Sequence, residues 1–140
     1  MSFELRDHTA DIAVAATGET LADVFTALAE GLAAAGTEDV PDGGDRFDLA
    51  VTAESRDALL FDYLDELIYL RDVRMELPVD NRVETIDQPD DEDGEWSLEA
   101  SARGVPLADV DAREVKAVTY SEMALEETEE GWEAYVVFDI

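Results

Sequence analysis

The apolar positions change period several times along the chain, and each change marks an element. Residues 3–8, "FELRDH", alternate and predict a short strand. Residues 12–18, "IAVAATG", predict a second strand closing on Gly18. Thr20 then opens a helix, with Asp23 as a capping-box partner three residues on. Leu21, Val24, Phe25, Leu28, Ala29 and Leu32 fall at helical spacing, and Gly36 is a natural stop. Residues 37–45 read as a loop, and 46–54, "RFDLAVTAE", alternate as a strand. Ser55 or Asp57 caps a second helix, whose broad apolar face comprises Leu59, Leu60, Tyr63, Leu64, Leu67, Ile68 and Leu70.

From Val73 onward the period becomes two. Residues 73–86, "VRMELPVDNRVETI", contain strand, with Pro78 restricting it to an edge or a bulge. An acidic loop, "DQPDDEDGE", leads to a strand at 96–104 and a connection at 105–114. A long strand at 115–127, a turn "TEEG" and a final strand "WEAYVVFDI" complete the pattern. Two helices among antiparallel strands predict an α+β fold, with the helices packed on antiparallel sheets in a sandwich-like arrangement. No internal repeat or linker interrupts residues 1–140, which are expected to form a single domain.

Composition alters this picture through charge. The chain carries 37 acids against 9 bases, a net charge of −28. The acids are spread between well-patterned apolar positions, unlike those of a disordered acidic tail. Eight of the nine bases are arginine, and Lys116 is the only lysine. This balance predicts a folded domain adapted to high salt, where ions screen self-repulsion, and so a halophilic cytoplasm. It argues against direct, phosphate-driven binding of nucleic acid. No apolar run approaches the roughly 20 residues that cross a bilayer, so no membrane association is expected. The start "MSFELRDHTADI" lacks the organisation of a signal peptide. The absence of cysteine excludes disulfides and thiolate metal sites and fits a cytosolic protein.

Candidate chemistry gathers at two places. The sole histidine, His8, lies in "HTAD" between the first two strands, with Asp11 close enough to share a site. The plain alternative is a turn in which Asp11 or Thr9 bonds nearby backbone. At the other end, Asp139 and the α-carboxylate of Ile140 supply up to four oxygens on one strand end. If Asp11 lies beside them, three carboxylates converge and call for a cation. All-oxygen ligation favours a hard divalent ion, calcium ahead of magnesium, over zinc. Lys116, in "KAVTYSEM", is the further candidate: either an exposed strand residue or a compact ammonium that arginine could not replace. Thr119 and Tyr120 fit as ordinary strand residues. No nucleophile elbow, phosphate-binding glycine loop or paired metal-ligand histidines are present, and the acidic loop lacks EF-hand spacing.

Taken together, "HTADIAVAATGETLADVF", "ALLFDYLDELIYLRD", "KAVTYSEM" and the terminal "VVFDI" resemble the archease family, in order and over essentially the whole chain. The resemblance implies an accessory protein, not an enzyme, for the GTP-dependent tRNA-splicing RNA ligase of the RtcB type. Such proteins promote guanylylation of the ligase's active-site histidine, allow multiple turnover and broaden nucleotide use. tRNA is then met only through the ligase. The resemblance also implies a metal site of Asp11, Asp139 and the Ile140 carboxylate. Ser121 departs from the pattern, since many archaeal relatives carry histidine after "TY". Two other readings compete: a metal-binding general chaperone or interaction module, and a metal-assisted hydrolase. The hydrolase has no evident acid or base beyond His8.

Overall fold

Two antiparallel sheets enclose two helices. The structure, a computed structural model, describes residues 2–8, 11–37, 39–91 and 93–140, with the side chains of 6–8 outside that description. The elements run β1 (Ser2–His8), β2 (Asp11–Gly18), α1 (Leu21–Gly36), β3 (Asp45–Ala53), α2 (Arg56–Arg74), β4 (Glu76–Asp87), β5 (Trp96–Pro106), β6 (Ala117–Thr128) and β7 (Gly131–Asp139). One sheet has the order β1-β2-β7-β6 and the other β3-β5-β4. The α+β expectation therefore holds. The helices form the filling of the sandwich: α1 packs on β1, β2 and β7 of one sheet and on β4 of the other, and α2 touches β6 as well as β3, β4 and β5.

Local sequence accounts for the helix starts. Thr20 caps α1 by accepting a hydrogen bond from the Asp23 amide at 3.1 Å. Only this half of the capping box forms among the described residues. Ser55, rather than Asp57, caps α2, accepting from the Ala58 amide at 3.1 Å. The α2 helix runs on to Arg74 and ends at Met75, whose φ of 56° is left-handed. The change of period at Val73 thus falls one helical turn too early, because Val73 lies on the exposed side of the last turn.

Contact on both sides explains the composition of α1. Ala27, Ala29, Ala33 and Ala35 are buried together with Val24, Phe25, Leu28 and Leu32. Small residues let the helix approach the strands closely. A Cβ on Gly31 would lie 2.5 Å from Val14 Cγ1, so no larger residue fits there without displacement. The main core joins Ile12, Val14, Val136 and Phe138 of one sheet, Leu98 and Ala100 of the other, and Phe25, Leu28, Leu60, Tyr63 and Leu64 between them. Each large apolar side chain so buried contributes about 1.5–3 kcal/mol relative to exposure.

Pro78 sits where its chemistry predicts, on β4 at the edge of the three-stranded sheet. A register break follows between Val79 and Arg82. It turns the Asn81 amide toward α1, where it donates to the Glu30 carboxylate. The acidic loop joins β4 to β5 as a hairpin, with Glu92 outside the described residues.

Candidate functional site

The four-stranded sheet brings the sequence-derived candidates into one row. His8 is the cross-strand partner of Asp11. Asp11 is the partner of Asp139. Asp139 is in turn the partner of Ala117 on β6. Four strands thus finish side by side, and chain segments more than a hundred residues apart meet at one sheet end. Asp11 opens β2 as a strand residue. The connecting residues Thr9 and Ala10, and the His8 side chain, lie outside the described residues.

Side-chain direction follows from the pleat. Ile12, Val14, Val136 and Phe138 enter the core beneath the helices. Asp11 and Asp139 have the opposite parity, so both carboxylates stand on the face turned away from the helices. Directly opposed residues on antiparallel strands have Cβ atoms about 4.5–5.5 Å apart, within reach of a shared cation. Asp11 is half-buried and Asp139 exposed. Ile140 follows with its side chain packed against the core, which ties down the last residue. Lys116 borders the row: its amide donates to the Asp139 carbonyl at 2.8 Å. Its side chain is exposed and has no hydrogen bond or ion pair among the described residues.

The donor set suits a hard cation in type, though it is small. Among the described residues no three His, Cys, Asp or Glu side chains gather closely enough to hold a metal ion. The expected set has only two such side chains, Asp11 and Asp139, with the Ile140 carboxylate as third donor. Calcium takes six to eight oxygens, so water or a partner's oxygens would have to complete the shell.

A second group of polar residues, between α1 and β4, was not signalled by any motif. Burial pushes the Glu30 carboxyl up from its ordinary value, the Asn81 amide opposes this, and nearby Asp80 adds to the rise. Burial also pushes the Tyr63 phenol up, reinforced by the Glu30 charge. The Tyr63 hydroxyl and Asn81 Oδ1 are buried without a hydrogen-bond partner among the described residues. A third feature, the stacked Phe61 and Tyr120 rings, also escapes sequence periodicity, because Phe61 lies beside the apolar face of α2 and Tyr120 in a bulge.

Comparison with known proteins bears on the family and the fold. The family model described as "Archease protein family (MTH1598/TM1083)" matches residues 3–140. The archease of Methanosarcina mazei is 39% identical over 143 residues, covering 99% of this chain and 95% of the relative. The solution structure of Methanobacterium thermoautotrophicum protein 1598 superposes with a TM-score of 0.81 at 30% identity, covering 99% of this chain and 98% of that one. A crystal structure from Thermotoga maritima, described as an archease and possible chaperone, shares the fold with a TM-score of 0.62 at 20% identity, over 98% of this chain and 96% of that one. A match across nearly the full length, with the same two-helix, two-sheet architecture, shows that the chain belongs to the archease family.

Proposed function

We propose that this protein is an accessory factor of a GTP-dependent RNA ligase of the RtcB type, promoting ligase guanylylation and repeated turnover in tRNA splicing. The observation that carries this reading is the pairing of Asp11 with Asp139 across β2 and β7, in a chain that belongs to the archease family. In this reading the protein is not itself an enzyme. A divalent cation, calcium ahead of magnesium, is held by Asp11, Asp139 and the Ile140 carboxylate. His8 and Lys116 act beside it. A bound cation would neutralise the two carboxylates and fix the end of β7 against β2. The Lys116 ammonium supplies the one compact positive charge at the rim of an otherwise acidic molecule. tRNA is reached through the ligase, since the net charge of −28 repels phosphate. The same charge supports a halophilic cytoplasm as the working environment. No helix is long and apolar enough to cross a membrane among the described residues.

The test is RNA joining by the purified ligase, with this protein present at substoichiometric and equimolar amounts. The reading predicts that ligation continues beyond one turnover only when the protein is added. RNA cleavage by this protein alone would favour a metal-assisted hydrolase instead. Suppressed aggregation without extra turnover would favour a general chaperone.

A further inference from the structure

Arginine stacked on an aromatic ring beside a carboxylate occurs twice among the described residues. Arg56 lies 5.1 Å from the Trp132 ring centroid, and its Nε donates to Asp57 Oδ1 at 3.3 Å. Arg74 lies 4.3 Å from the Phe47 ring centroid, and its Nε donates to Glu76 Oε1 at 3.1 Å. The pairing satisfies both parts of a guanidinium: its flat face on the ring quadrupole and its N–H fork on an acid.

A third aromatic group has the ring and the acids without an arginine. Phe61 of α2 and Tyr120 of β6 stack with centroids 3.9 Å apart and ring planes within 3°. Phe61 covers one face of Tyr120, yet Tyr120 remains 58% exposed, so its other face is open. Burial against α2 and the charges of Asp62, Glu54 and Asp57 push its phenol up. Asp62 follows Phe61 directly on α2, Asp57 precedes it by one helical turn, and Glu54 lies just ahead of the helix cap, which sets this acidic group beside the stack. Asp57 already engages Arg56. Glu54 and Asp62 have no cationic partner among the described residues, and burial, then Asp65, then Glu54 push the Asp62 carboxyl up. Tyr120 is aimed by a deliberate irregularity. The β6–β7 register breaks between Thr119 and Ala124, and Glu122 in the break has a left-handed φ of 61°. A bulge on an edge strand re-aims a side chain at some cost in backbone strain.

We propose that the open face of Tyr120, with Glu54 and Asp62, receives an arginine side chain from a protein partner. Charge complementarity selects a guanidinium: the two carboxylates repel a nucleotide phosphate and attract a cation. The arrangement this chain already uses at Arg56 and Arg74 favours arginine over lysine, because a planar fork can meet ring and carboxylate together. In molar salt the screening length falls to about 3 Å, so distant acids attract little and only a contact-range arrangement keeps selectivity. This inference stands apart from the carboxylate row and from the identity of the ligase.

The experiment is a nuclear magnetic resonance titration of the full chain in molar potassium chloride. The probes are the capped peptide Gly-Arg-Gly, its Gly-Lys-Gly counterpart and uridine monophosphate. The arginine peptide should shift Phe61, Tyr120, Glu54 and Asp62 first, and more than the lysine peptide does. Tyr120→Ala should remove the effect. A Glu54→Gln, Asp62→Asn double variant, which leaves the stack intact, should weaken binding at least severalfold. Shifts spread evenly over the acidic surface, or unchanged in the double variant, would overturn the proposal. So would a response of the two rings to uridine monophosphate and not to the arginine peptide.

Discussion

Asp139 is fixed from both sides, by Asp11 across β2 and by Ala117 and the Lys116 amide across β6. The two-residue period made its place at a strand end legible in the sequence, whereas Asp11 beside it was only a condition there and an implication of the family resemblance. Calorimetric titration with calcium should find one site in the native protein and at least about tenfold weaker binding in Asp139→Asn. The substitution keeps size and shape and removes charge. Equal affinity would show that this side chain is not a ligand. Glu30 was not legible, because Pro78 marks an edge or a bulge in β4 but does not tell that the register break beyond it turns the Asn81 amide onto α1. Its carboxyl is raised by burial, so ionisation opposes folding. The stability it contributes is complete in acid, below the ordinary glutamate value, and is lost as pH rises through its raised folded value. Glu30→Gln keeps an acceptor for the Asn81 amide without the charge. Denaturant melts should therefore show Glu30→Gln more stable than native at pH 7, with the difference vanishing near pH 4. A constant difference at both pH values would rule out ionisation as the cause.

At the scale of elements, caps and periods were the readable part. Thr20, Ser55, Gly18 and Pro78 each stand where a start, stop or edge requires them. The end of α2 was not readable, since Val73 and Met75 are apolar yet exposed and mimic a strand period. The position of the helices between the sheets was also hidden, although the alanine- and glycine-rich α1 carried a trace of it. That close approach is open to a direct check. Gly31→Ala sets a methyl 2.5 Å from Val14 Cγ1, where β2 or the helix must move. Overpacking of this kind costs about 1–3 kcal/mol against a small gain in helix propensity. Thermal melting of Gly31→Ala should fall by several degrees, and a melting point at or above native would refute the close packing of α1 on β2.

For the whole molecule, charge sets the conditions under which every contact works. With 37 acids and 9 bases, self-repulsion acts across the entire surface in dilute buffer. Raising the salt from 0.15 M to 1 M shortens the screening length from about 8 Å to about 3 Å. The melting temperature should climb steadily over that range of potassium chloride, whereas an unchanged value would remove the case for salt adaptation. Family membership was legible from four separated segments, three of which lie on β2, β6 and β7 and meet at one sheet end, while the fourth is the helix α2 packed between the sheets. The face of a partner was not, because a bulge and a helix flank supply Tyr120 and Phe61. The central claim concerns what the molecule does to another protein. It is tested most directly by the rate of GTP-dependent guanylylation of the purified ligase, measured with native protein and with Asp11→Ala in molar salt. The account predicts faster guanylylation with the native protein and a loss of at least about tenfold of that stimulation in a folded Asp11→Ala variant. An equal rate with native protein, with the variant and with neither would contradict it.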